Sequence, residues 1–223
     1  MSNWQGGIHV NAYASGGLLP AAVVGTKNTG LMVGADIYST FCAIAGVDPT
    51  DERAAAANLP PIDGYNMWPW LSGANKTSPR TEVPVASDSV EANLAQLGNM
   101  TVVQAMIRAD GFKLMIGETG QNIWTGPQYP NKTTNWVDNP YHCGVPAWGS
   151  QPKTGKGGCL FNVFTDPTEH NDVAAANPTI VADLMQRILF WQQTAFSPNR
   201  GTADLKACDA ALAYGGYWGP FLP

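Results

Sequence analysis

Asn3-Trp4-Gln5-Gly6-Gly7-Ile8-His9-Val10 opens this chain on an aromatic residue, a double glycine and a β-prone run. Such a composition belongs to the interior of a domain. Gly6-Gly7 and Gly16-Gly17 bracket the run, so a short strand is expected over Ile8 to Ala14. The opening residues carry neither a positive n-region nor an apolar h-region and do not read as a signal peptide. The expectation is that this chain is the second half of a larger protein.

Working outward, Leu18 to Val24 is mostly apolar and ends at Gly25. Asp36 is placed to cap a helix, with Ile37, Phe41, Ile44 and Ala45 at helical spacing up to Gly46. Val47 to Pro61 is an Ala-rich excursion, and Ile62 to Leu71 is a turn followed by a short apolar segment. Val102 to Ile107 and Phe112 to Ile116 flank Arg108-Ala109-Asp110-Gly111, a hairpin signal. Trp124 to Gly158 is long and irregular. Leu160 to Phe164 reads as a strand leading into Asp166-Pro167-Thr168-Glu169. Ile180 to Phe196 is amphipathic, with Ile180, Leu184, Ile188, Leu189 and Trp191 on its apolar side. The aromatic tail from Gly215 to Pro223 is expected to pack on the body. No internal repeat is found.

The chain has 223 residues, 44% of them hydrophobic, enough for one sizeable core or a core with a small subdomain. Only 13% are charged, while glycine and proline number 24 and 17, so the fold is loop-rich. A net charge of −5 without a basic cluster excludes nucleic acid as a partner. No apolar run reaches the roughly 18 residues that a membrane-spanning helix needs.

Three N-glycosylation acceptors occur, at Asn75, Asn99 and Asn131, and together they point to a secretory history. The four cysteines fit an oxidising compartment. Cys143 and Cys159 lie in one Gly/Pro-rich stretch and are expected to pair, which would contribute roughly 3 kcal/mol by the chain-entropy model. Cys42 sits in an apolar helical pattern and reads as a buried free thiol. Cys208 is left over, with a partner elsewhere; a Cys42–Cys208 bond is the alternative.

Catalytic patterns are missing. His9, His142 and His170 form no H-E-x-x-H pattern, and no G-x-S-x-G elbow occurs. Gly149 to Lys156 imitates a phosphate loop, but the spacing is one residue too long and Gly157 stands where Ser or Thr would bind magnesium. Asp166 to Asp172 is rich in metal-ligand types, yet a turn and cap after a strand account for it better. His9 on a lone strand is better read as structural than catalytic. No catalytic and no metal-binding residue is therefore assigned.

Longer strings carry a resemblance. Asn3 to Val10 looks like the W-E-G-G-I-R-V segment of sulfatases. Ala35-Asp36-Ile37-Tyr38-Ser39-Thr40-Phe41 is similar to the start of that family's A-D-W-Y-x-T-F-x-x-L-A-G helix, and the match runs on to Gly46. Pro61 to Gly73 resembles the P-x-D-G-x-D-x-W-P-x-L-x-G turn, Arg108 to Leu114 the R-x-G-x-[YW]-K-L hairpin, and Leu160 to Asp172 the L-[FY]-[ND]-[IL]-x-x-D-P-x-E-x-x-[ND] element. Tyr217 to Phe221 is similar to the end of B-type arylsulfatases. These matches keep their order over nearly the whole chain.

The resemblance implies an α/β fold, the C-terminal part of an alkaline-phosphatase-like sulfatase. Residues 1–82 would be the last elements of the α/β core, and residues 83–223 a small antiparallel sheet plus helix subdomain with an aromatic tail. It implies an arylsulfatase-type sulfuric ester hydrolase whose partner is a missing N-terminal half, in the secretory pathway, extracellular or lysosome-like. The complete family enzyme would use calcium and a formylglycine made from a C-x-P-S-R cysteine. Neither that motif nor the paired Asp motif occurs here, so no cofactor is expected on this chain. The family's last catalytic lysine would fall just before Met1. Gln5, His9 and Val33 replace the usual Glu, Arg and His, and Asp110 replaces Gly in the hairpin. A non-catalytic secreted glycoprotein module that binds sulfated glycans is the rival, disfavoured by the acidic charge. A fold-related hydrolase of phosphate esters is a third, against which the B-type ending speaks.

Overall fold

The computed structural model describes residues 3–86, 104–117, 123–124, 137–138, 143, 158–193, 204 and 206–219. Its centre is a four-stranded antiparallel sheet. β1 (Glu82–Ala86), β2 (Gln104–Arg108), β3 (Phe112–Ile116) and β6 (Cys159–Asn162) lie in the order β1-β2-β3-β6. β4 (Ile123–Trp124) and β5 (Val137–Asp138) form a separate antiparallel pair.

The hairpin read from the sequence joins β2 to β3, with Ile107 opposite Lys113 and Ala105 opposite Met115. Gly111 closes it at φ +88°, and a Cβ there would come within 2.7 Å of the Phe164 ring. Glycine is required on both counts. Pro84 lies in β1, at the end of the sheet, where a missing ladder donor is tolerated, and the register shifts between Pro84 and Ala86.

Side chains alternate across the strands and divide the core in two. One face carries Met106, Leu114, Ile116 and Leu160, and α5 (Pro178–Gln192) covers it with Leu184 and Ile188. This is the amphipathic helix expected from the sequence; its expected end at Phe196 lies outside the described residues. The other face gathers Trp4, Ala105, Met115, Cys143, Cys159 and Phe161, with the Trp4 and Phe161 rings 5.5 Å apart. Val83, Ile107 and Val163 continue it, packed by Leu31 and Val33.

The N-terminal third differs from its expected form. Ile8 to Ala14 is not a strand. Gln5–Ile8 forms a single helical turn, α1, and the backbone after it is irregular. Strand-prone residues form a strand only where a neighbour completes the ladder, and none of the described strands pairs with this run. Within Leu18 to Val24, Ala21–Val23 is a 3-10 turn. The next helix, α2 (Gly34–Ala45), ends at Gly46 in the left-handed conformation, as the glycine signalled. Asp36 stands at its third position rather than at its cap, and its carboxylate accepts the N–H of Val33 at 2.8 Å.

Two short helices follow, α3 (Glu52–Ala56), capped by Asp51, and α4 (Trp68–Leu71). Near the C-terminus lies α6 (Lys206–Ala213). The described part of the tail does not pack as expected: Tyr217 and Trp218 are exposed.

Candidate functional site

Three polar knots hold the described chain together. The first is on α2. Asp36 is fully buried and accepts from Arg80 through Nε at 2.9 Å and a terminal nitrogen at 2.5 Å. It also accepts the N–H of Tyr65 at 2.8 Å. Arg80 donates onward to the Asp63 carbonyl at 2.8 Å and stacks 4.5 Å over the Tyr65 ring. Burial alone would raise the Asp36 carboxyl, but the bonds from Arg80, Tyr65 and Val33 hold it below the usual carboxylate range. Ser39 donates to the Gly64 carbonyl, and Thr40 Oγ1 accepts the N–H of Met67. At Gly64 a Cβ would meet the Ala35 carbonyl at 2.4 Å, so the turn must be glycine to lie against the helix.

The second knot lies beneath the sheet. Lys113 on β3 donates to Glu169 at 2.7 Å, and both side chains are buried. The other Glu169 oxygen accepts the N–H of Gln5 at 2.7 Å, tying the N-terminal turn to the body. Burial pushes the Lys113 ammonium below its ordinary value, against the pull of Glu169. Glu169 sits at φ +57°, a strained conformation for a residue with a side chain. The third knot joins β1 to α5: Glu82 accepts from both Arg187 and Trp191.

Between the N-terminal segment and the sheet lies a cavity of about 780 Å³. Val83, Val85, Ile107 and Val163 are among its apolar lining, with Gln5 and His9 among its polar lining. Among the described residues of the lining, His9 is the only ionisable side chain. Acid–base or nucleophilic catalysis needs a paired group within hydrogen-bond reach, and the described lining gives His9 no second ionisable group.

The expected site residues fall as follows. Cys143 and Cys159 form a disulfide with Cα atoms 4.9 Å apart, buried beside Trp4 and Phe161. Cys42 is a free thiol and half-buried rather than buried, because it lies beside the outward side of α2; Cys208 is free and exposed, so no Cys42–Cys208 bond forms. Asn75 is exposed after α4, its backbone N–H held by the Pro69 carbonyl at 2.7 Å. Asn99, Asn131 and His142 lie outside the described residues.

The acidic run after β6 is spent on backbone: Asp166 accepts from the N–H groups of His170 and Asn171, and Asp172 from those of Leu160 and Ala174. Among the described residues no group of three or more His, Cys, Asp or Glu is placed to hold a metal ion. None of their helices is long and apolar enough to cross a membrane. Sequence reasoning did not find the partners of Asp36, Lys113 or Glu82. Each bond spans 44 to 109 residues, and a distant Arg, Glu or Trp leaves no local pattern.

No protein-family model matches the chain. It is 27% identical over 229 aligned residues to Arylsulfatase J of Mus musculus, an alignment covering 98% of this chain and 34% of that protein. The chain thus spans about a third of the length of this curated relative. Its resemblance to a sulfatase, read first from separate motifs, extends over nearly all of its residues.

Proposed function

We propose that this segment is the C-terminal portion of an arylsulfatase-type sulfuric ester hydrolase and that the reaction is carried by residues outside it. The observation that supports this is the similarity to an arylsulfatase along 98% of the chain, in the region where the ordered motifs lie. The antiparallel sheet with its covering helix would be the terminal subdomain, residues 83–223, and residues 1–82 the last elements of an alkaline-phosphatase-like α/β core. In such an enzyme a formylglycine supplies the nucleophile and calcium stabilises the sulfate charge. This chain's own residues would do the structural part: Glu169 fixes Gln5, and Asp36 with Arg80 fixes the turn from Asp63 to Met67. The disulfide and the three acceptor asparagines favour a secretory or lysosome-like setting.

The test is hydrolysis of 4-nitrophenyl sulfate by two polypeptides. One is the 223-residue chain; the other is a natural polypeptide from the same source that contains this segment together with a C-x-P-S-R motif. Turnover is expected from the longer one alone. Turnover by the short chain would overturn the placing of the chemistry. A longer polypeptide acting only on phosphate monoesters would overturn the sulfatase assignment.

A further inference from the structure

The loop between α4 and β1 presents a complete acceptor for an N-linked glycan. Asn75, Lys76 and Thr77 are all exposed, and they form an Asn-x-Thr triplet whose middle residue is not proline. The triplets at Asn99 and Asn131 lie outside the described residues, so Asn75 is the acceptor whose surroundings the structure shows.

The loop is fixed on both sides of the triplet. The backbone N–H of Asn75 donates to the Pro69 carbonyl at 2.7 Å, and that of Gly73 to the Trp70 carbonyl at 3.2 Å. Gly73 makes the turn at φ +80°, and a Cβ there would come within 2.7 Å of the Val23 side chain. Beyond the triplet, Ser78 donates its hydroxyl to the Leu31 carbonyl at 2.7 Å, and Arg80 is buried against Asp36. The Asn75 side-chain amide and the Thr77 hydroxyl take no part in these bonds.

A glycan is bulky and strongly hydrated. A position buried in the finished fold cannot keep one, because the sugar would lose its water or the chain would have to move. Asn75 meets neither obstacle. Its side chain reaches solvent from a loop whose two ends are anchored by bonds that the modification leaves alone.

We infer that Asn75 carries an N-linked glycan and that the α4–β1 loop therefore stays in solvent in the mature protein. The inference rests on the secretory setting proposed above and deepens it to one residue and one chemistry. In the transfer, Nδ2 of Asn75 forms a bond to the anomeric carbon of an oligosaccharide carried on a lipid diphosphate. The bond from that carbon to the diphosphate oxygen breaks, its electron pair leaves with the lipid diphosphate, and the amide nitrogen gives up one proton.

The experiment has two parts. In the first, the 223-residue chain is expressed behind a cleavable secretory leader in a glycosylating eukaryotic host, and gel mobility is compared before and after enzymatic deglycosylation. Asn75→Gln and Thr77→Ala should each lose the mass of one glycan relative to the parent, while Thr77→Ser, which keeps the hydroxyl, should retain it. Circular dichroism of the parent should be the same with and without its glycans. Equal glycan mass in the parent and Asn75→Gln overturns the inference, and so does a glycosylated parent that regains its helix signal only after deglycosylation. In the second part, a natural polypeptide containing this segment is isolated from its source and deglycosylated in heavy-oxygen water, which turns each formerly glycosylated asparagine into a labelled aspartate for mass spectrometry. Label at position 75 is expected, and an unlabelled Asn75 overturns the inference. The secretory reading survives that result if Asn99 or Asn131 is labelled or if Cys143 and Cys159 are bonded. It falls as well if all three asparagines are bare and both cysteines are reduced.

Discussion

The two ends of the described chain are held by opposite kinds of interaction. Among the described residues from Glu82 to Gln192, Met106, Leu114, Leu160, Leu184 and Ile188 are all at or below 1% exposure. In the first 81 residues, Trp4, Met67 and Trp70 are buried and hydrogen bonds with one buried ion pair fix α2, while Val10, Tyr13, Leu18, Phe41 and Leu59 stand in solvent. The described body buries most of its apolar pattern, whereas the N-terminal arm leaves much of its own exposed.

Breaking the arm should have the largest effect. Arg80→Ala leaves Asp36 buried and unpaired, and a loss of about 3–5 kcal/mol is expected. Because α2 buries Asp36, Ser39 and Thr40 rather than apolar side chains, native-state hydrogen exchange should report opening of α2 while the amides of β2 and β3 stay protected. Uniform loss of protection would mean that arm and body form one cooperative unit.

The body should respond to the opposite chemistry. Leu184→Ala opens a cavity under the sheet and is expected to lower stability by about 2–5 kcal/mol in denaturant titration. Replacing both Cys143 and Cys159 by Ala should remove roughly 3 kcal/mol, for a closed loop with a sequence separation of 16. An undiminished midpoint after either change would show that the body does not rest on this core.

The pH dependence sharpens the contrast at the join. The bonds from Arg187 hold the Glu82 carboxyl below its ordinary value of 4.5, with burial opposing and Trp191 assisting. A folded-state value below the unfolded one gives stability that is present above the ordinary value and lost as pH falls through the folded value. Chemical denaturation between about pH 5 and pH 3 should therefore show a shallower acid loss in Glu82→Gln than in the parent. An identical slope would mean that Glu82 is not linked to folding.

The smallest effect is the most telling. Phe41→Ser, which removes a large ring from an apparent core stripe, should change the stability of the isolated chain by no more than about 0.5 kcal/mol, since the ring is exposed. A loss of several kcal/mol would place Phe41 inside and remove the difference between arm and body.

Much of the body was legible in the sequence. The Asp-Gly turn with two apolar flanks marked β2 and β3, the run from Leu160 marked β6, and the spacing of Leu184 and Ile188 marked the buried side of α5. These signals are local, and the partners they imply lie within the described body. Gly46 likewise fixed the end of α2, because a left-handed terminus needs only the residue that tolerates it. Tertiary structure decided the rest. Ile8 to Ala14 has strand composition but no ladder partner among the described strands, so it is irregular. Ile37, Phe41 and Ile44 have core spacing but face outward, because Arg80, Tyr65 and Met67 claim the other side of the helix through bonds that no window of sequence contains. Periodicity fixes which residues share a face; only the groups packed against a helix determine which face is buried.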